Sequence, residues 1–262
     1  MNRISISSQR AAALVGSIVF AFSGISGLLL AAAQSVVAHP GSNSTLATTS
    51  TPLTVLTVGD SIMKGFGVPS GQAWPSLIAA DDGWSLSNVA CDGAGVLRVG
   101  SPNDCDENFA ALISSQATLH PDIVIFEGSS NDFGLDNSAL LASTISELQT
   151  IRADFPSAQI VGLSTVWGYT DPPAQLEQIN TQVQRAVTQV GGTYVDIGQP
   201  MAGHPELMQS SDVHPNASGQ AVLASTIRAV IQPMEHDALV TNQITATRQS
   251  SVEALLRQRR LL

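Results

Sequence analysis

Basic residues are scarce in this chain. Its 262 residues include 11 Lys and Arg against 21 Asp and Glu, for a formal net charge of −10. Lys64 is the only lysine, and Arg257, Arg259 and Arg260 crowd against the C-terminus. Phosphate binding needs clustered cations, so nucleic acid is not an expected partner. The only cysteines are Cys91 and Cys105, and no Cys/His cluster has zinc spacing. The G-x-S-x-G nucleophile elbow occurs nowhere, and no Walker loop or dinucleotide-binding glycine fingerprint follows a predicted strand. Neither a metal nor a nucleotide cofactor is therefore expected. What the chain does have is apolar content: 44% hydrophobic residues, enough to fill one core and too many for a largely disordered chain.

The N-terminus stands apart. Arg3 and Arg10 form a short positive region, a mostly apolar stretch over 11–33 follows, and Val36-Val37-Ala38 resembles a signal-peptidase site. Residues 1–38 read as an export signal. The alternative is an uncleaved anchor, since an apolar run of that length spans a bilayer, and that reading adds a membrane as a partner. Either way the remainder is expected outside the cytoplasm, secreted or in the cell envelope. Residues 39–52, rich in Ser, Thr and Gly, read as a flexible linker. Residues 53–233 read as the main domain and 234–262 as a polar C-terminal tail, in which 251–262 admits either an amphipathic helix or loose chain. In an oxidising compartment, Cys91 and Cys105 form a disulfide more readily than a metal site. Closing a loop of about 15 residues stabilises by about 3 kcal/mol in the chain-entropy model. Two unpaired small core residues are the alternative.

Apolar patterning predicts strands over 53–58, 86–90, 122–126, 159–164 and 193–197, and helices over 72–80, 108–120, 138–155, 173–190 and 216–231. Within 138–155, Leu140, Leu141, Ile145, Leu148 and Ile151 share one face. Strands alternating with helices imply an α/β fold. The expected form is a three-layer α/β/α sandwich around a central parallel sheet of about five strands, with right-handed crossovers. The strands are continuous apolar runs, as both faces of such a sheet are covered. Strand order is not legible from the sequence.

Reacting groups in open parallel sheets gather beyond the carboxyl ends of the strands. Three segments leave those ends in the first half of the fold: Gly59-Asp60-Ser61-Ile62, Asn88 to Gly93, and Gly128-Ser129-Ser130-Asn131-Asp132. A fourth, Asp212-Val213-His214-Pro215-Asn216, precedes the last helix. Together they offer a serine, a histidine and two potential oxyanion donors. A serine hydroxyl is a poor nucleophile without an adjacent base, and histidine titrates in the right range to be one. Negative charge building on a carbonyl oxygen is held by preorganised N–H donors, each typically worth about 10²–10³ in rate.

In this order the four segments resemble the four sequence blocks of the SGNH (GDSL-type) hydrolases, over roughly residues 53–232. The resemblance implies the same α/β/α, flavodoxin-like sandwich and an ester hydrolase without cofactor. It implies Ser61 as nucleophile and His214 as general base. It implies an oxyanion hole built from the Ser61 N–H, the Gly93 N–H and the Asn131 side-chain amide. One feature departs from the family: the aspartate that orients the base usually lies three residues before the histidine, where this chain has Ser211. Asp212 lies two before it. A one-residue slip in extended chain points a side chain the other way, so Asp212, Ser211 or a backbone carbonyl is left as the orienting group.

Taken singly, each residue has a plainer reading. Ser61 alone reads as a helix cap, Asn131-Asp132 as a turn, and His214-Pro215 as a helix entry. Trp167, Tyr169 and Asp171, after the fourth strand, line the substrate side or pack as core. The function expected is an exported serine ester hydrolase acting through an acyl-serine intermediate on small-molecule or envelope esters, lipid or acylated carbohydrate. The alternatives are an acyltransferase using the same serine and an inactive binding module of the same fold.

Overall fold

The computed structural model describes residues 51–210 and 213–259. The expected export signal, most of the linker, Ser211 and Asp212 lie outside the described residues. Five strands form the sheet: β1 (Thr54–Val58), β2 (Ser85–Asn88), β3 (Ile123–Glu127), β4 (Gln159–Leu163) and β5 (Thr193–Val195). All neighbours are parallel, in the order β2-β1-β3-β4-β5. The helices are α1 (Ser61–Lys64), α2 (Trp74–Asp82), α3 (Phe109–Ser114), α4 (Asn137–Asp154), α5 (Ala174–Gln189) and α6 (Ala217–Arg259). The α/β sandwich expected from the sequence is the fold observed.

Successive strand side chains point to opposite faces of a sheet, and this divides the core in two. Val55 of β1 joins Trp74 and Ile78 of α2 and Leu223, Ile227 and Ile231 of α6. Leu56 and Val58 join Phe109 of α3, Ile151 of α4 and Val183 of α5 on the other side. Burying a side chain of this size contributes about 1.5–3 kcal/mol, so each helix layer is held mainly by its apolar stripe.

Most helix bounds lie within two residues of the sequence reading, and two ends differ by more. The helix expected over 108–120 starts as read, with Asn108 capping α3 by accepting from the Ala111 N–H, but it ends at Ser114. The Ser114 and Ser115 hydroxyls then donate back to the Ala110 and Leu112 carbonyls, a local competition that weakens a helix. At the other end, the last helix does not stop near Ile231 but continues through Pro233 to Arg259. An interior proline costs about 3 kcal/mol, and tertiary contacts beyond it offset that cost. Trp84 Nε1 donates to Glu235 Oε1 at 2.8 Å, Ala238 is buried in the core, and Asn242 Nδ2 donates to Asp122 Oδ1 at 3.0 Å. Residues 243–259 are exposed. Among the described residues no helix is long and apolar enough to cross a membrane.

The strand order reverses between β1 and β3. A crevice opens at such a switch point beyond the carboxyl ends of the strands. The segments leaving β1 and β3 carry Ser61 and Asn131.

Candidate active site

The turn after β1 is built by Asp60, not Ser61. Asp60 is the N-cap of α1, its Oδ1 accepting from the Ile62 N–H at 2.8 Å. Ser61 thereby becomes the first residue of the helix, where a backbone N–H has no intrahelical acceptor and stays available. The helix-cap role considered for Ser61 thus falls to its neighbour. Asn88, at the end of β2, supports this turn. Its Oδ1 accepts from Thr57 Oγ1 at 3.0 Å, and its Nδ2 donates to the Met63 carbonyl at 3.2 Å.

His214 reaches this turn from 153 residues away, its Nε2 lying 2.9 Å from Ser61 Oγ. Two side chains shape its segment. The Asn216 Oδ1 accepts from the Ser218 and Gly219 N–H groups at the start of α6, while its Nδ2 donates to the Glu206 and Met208 carbonyls. Gln209 donates its backbone N–H to the His214 carbonyl and its Nε2 to the Pro215 carbonyl. The Phe66 ring lies against the imidazole. Burial pushes the His214 pKa below its ordinary value, and the charge of Asp92 opposes the shift. A histidine held neutral near pH 7 can accept a proton.

Gly93 takes φ +75°. A Cβ there would have room, its nearest neighbour being the Ser101 nitrogen at 3.6 Å, so the left-handed backbone is what favours glycine. The Gly93 N–H has no acceptor among the described residues. Asn131 Nδ2 donates one hydrogen to the Ala94 carbonyl at 2.9 Å. An amide nitrogen carries two hydrogens, so one remains. Ser129 ties these pieces together, its Oγ lying 2.8 Å from Asp60 Oδ2 and 3.0 Å from the Ala94 carbonyl while accepting from the Asn131 N–H. Asp132 accepts from the Val96, Leu97 and Arg98 N–H groups. Gly95 lets it approach, since a Cβ there would meet both Asp132 oxygens at 2.7 Å.

The carboxylates beneath the site are strongly desolvated. Burial raises the Asp60 pKa to about 6, against hydrogen bonds from Ile62 and Ser129 that favour its ionised form. Glu127, at the end of β3, is fully buried and pushed well above the usual carboxylate range by burial and by Asp60.

Ser61, Gly93, Asn131 and His214 line one open groove of about 470 Å³, walled in part by Phe66 and Val99. Beside it lies a smaller notch of about 70 Å³, formed by Ile62, Ser130, Val166, Trp167, Thr170 and Val213 among others. Of the three candidates after β4, Trp167 lines this notch, whereas Tyr169 packs against the core and Asp171 is exposed. Cys91 and Cys105 are joined in a disulfide that closes the loop carrying Gly93. With Asp104 they make a grouping of metal-ligand spacing, but both sulfurs are committed to each other. Asp212, a candidate to orient His214, lies outside the described residues.

Sequence reasoning named Ser61, His214, Gly93 and Asn131, and the fold brings all four to one groove. It missed Asp60, Ser129, Asp132 and Gln209. Asp60 and Asp132 were in plain view beside the named residues, and their spacing as helix cap and turn carboxylate was the available signal. Gln209 gave none, because its partners are set by the tertiary fold.

Comparison with known proteins agrees with this geometry. A GDSL lipase of Mycobacterium tuberculosis, Rv0518, is 29% identical over 191 residues, which cover 68% of this chain and 80% of that protein. Esterase TesA of Pseudomonas aeruginosa is 24% identical over 187 residues, 69% of this chain and 89% of TesA. Among solved structures, the salicylyl-acyltransferase SsfX3 from a tetracycline biosynthetic pathway superposes with a TM-score of 0.56 at 23% identity. That match covers 71% of this chain, which spans only 56% of SsfX3. The profile of the GDSL-like Lipase/Acylhydrolase family matches residues 57–222, more than half of the chain. The chain belongs to this family and is a hydrolase acting on carboxylic ester bonds.

Proposed function

We propose that this enzyme hydrolyses esters outside the cytoplasm through an acyl-Ser61 intermediate, with His214 as general base. The observation that carries the reading is the 2.9 Å contact of His214 Nε2 with Ser61 Oγ at the floor of a groove lined by Gly93 and Asn131. His214 takes the Ser61 proton as Oγ bonds to the ester carbonyl carbon. The carbonyl oxygen becomes an oxyanion facing the Ser61 and Gly93 N–H groups and the second Asn131 amide hydrogen. The carbon–oxygen bond to the alcohol then breaks, and His214 returns the proton to the leaving oxygen. Water repeats the sequence: His214 removes its proton, the new hydroxyl bonds to the acyl carbon, and the Oγ–carbon bond breaks. The acid leaves and Ser61 regains its proton. The orienting of the imidazole is assigned to Asp212 on its sequence position two residues before His214. Envelope lipids or acylated carbohydrates are the substrate class.

The export half of the proposal rests on the N-terminal pattern of Arg3, Arg10 and the apolar run, supported by the Cys91–Cys105 disulfide, a bond that persists in oxidising compartments. The test is hydrolysis of a 4-nitrophenyl acetate ester by residues 40–262, beside Ser61→Ala and Asp212→Ala. Ser61→Ala is expected to fall to background and Asp212→Ala to lose at least tenfold in kcat. Equal rates for wild type and Ser61→Ala would overturn the mechanism. N-terminal sequencing of the protein recovered outside the cytoplasm tests the export signal.

A further inference from the structure

We infer that the notch beside Ser61 is the acyl subsite, that it restricts the enzyme to short-acyl esters, and that Trp167 sets the limit. The inference rests on the acyl-serine reading above. The leaving oxygen must take its proton from His214 Nε2, and His214 and Phe66 line the open groove but not the notch. The alcohol therefore occupies the groove, whose size and openness accept a large group. The oxyanion faces Gly93 and Asn131. The remaining substituent of the carbonyl carbon is the acyl chain, and it extends past Ile62 and Ser130 into the notch.

That notch is small and apolar on its far side. An apolar cavity of about 150 Å³ takes one benzene ring, so the notch's roughly 70 Å³ holds about half as many carbons, two or three. Its far wall is fixed. Val166 is 1% exposed. The Trp167 N–H donates to Gln199 Oε1 at 2.8 Å, and its Nε1 donates to Thr170 Oγ1 at 3.3 Å. Phe133 meets the indole edge-on, ring centroids 5.9 Å apart. A ring held at its backbone, its nitrogen and its edge does not swing away cheaply, so a longer chain meets it as a barrier.

The experiment is a series of 4-nitrophenyl esters with two, four, eight and twelve acyl carbons, measured as kcat/KM for wild type, Trp167→Ala and Trp167→Phe. Wild type is expected to favour the acetate or butyrate over the octanoate by about tenfold or more, the size of discrimination that one or two misfitted methylenes produce. Trp167→Ala is expected to raise the octanoate-to-acetate ratio by about tenfold, and Trp167→Phe to keep the short-chain preference. A flat wild-type series, or one rising toward twelve carbons, would overturn the assignment of the notch even if Trp167→Ala does not fold. A ratio unmoved by Trp167→Ala would overturn the role of Trp167. Failure of the underlying reading looks different: no ester in the series would then show turnover that depends on Ser61.

Discussion

Phe66 lies against His214, ring centroids 4.5 Å apart and planes inclined by 34°, although Phe66 itself is 45% exposed. The phenyl ring spends one face shielding the imidazole from water. Shielding disfavours the charged imidazolium and contributes to the burial that depresses the His214 pKa. Because the base must be neutral to act, activity rises as pH passes upward through that pKa. Phe66→Ala restores water to the ring, so the acidic midpoint of kcat/KM should move up toward the ordinary histidine value. At pH 6 the variant should lose roughly three- to tenfold relative to pH 8. A midpoint that stays or moves down would show that Phe66 does not shield the base.

The Cys91–Cys105 disulfide closes the loop bearing Gly93, and Gly100 packs against both sulfurs, where a Cβ would meet Cys91 Sγ at 2.6 Å. Replacing both cysteines with alanine should lower unfolding stability by about 3 kcal/mol for a loop of this length, read as a urea midpoint. The looser Gly93 N–H should lower kcat as well. Unchanged kcat with lowered stability would confine the disulfide to a structural role.

Glu147 on α4 is buried, and its Oε2 has no hydrogen-bond partner among the described residues. Burial raises its pKa to about 9, helped by the charge of Asp132. A folded-state pKa above the unfolded one favours the protonated fold. The contribution is thus retained below the ordinary glutamate value and lost as pH rises toward about 9. At pH 7 the mismatch costs on the order of 3 kcal/mol. Glu147→Gln removes the titration, so between pH 5 and pH 8 its urea midpoint should fall less than that of wild type. Parallel declines would sink the argument.

The long α6 divides at Asn242. Removing residues 243–262 should leave the melting temperature of the domain unchanged, because that stretch of the described helix is exposed. Stopping at Pro233 deletes the Trp84–Glu235 hydrogen bond and the burial of Ala238, and should cost about 2–4 kcal/mol. Equal melting temperatures for the two truncations would contradict the anchoring role of Glu235.

The strands and most helices were legible because apolar periodicity is a local property. Leu140, Leu148 and Ile151 recur at helical spacing whatever they pack against, and all three are buried. Helix ends were less legible. Pro233 reads locally as a stop, and only Glu235 and Ala238, meeting Trp84 and the core across the fold, outweigh it. In the same way Ser61 read alone is a cap, and the fold assigns that hydrogen bond to Asp60.

The sequence by itself determined the chemistry available: one serine after β1, one histidine before α6, and a glycine and an asparagine after β2 and β3, in an order that resembles one family. It determined the alternating strands and helices as well, since backbone propensity and apolar spacing act over a few residues. The tertiary structure alone decided the strand order that places β1 beside β3. It also decided the approach of His214 to Ser61 across 153 residues, and the notch behind Ser61 where Trp167 closes a space that no neighbour in sequence defines. Distances between segments far apart in the chain depend on how whole layers pack, and that packing is settled by the summed burial of the core rather than by any one stretch of residues.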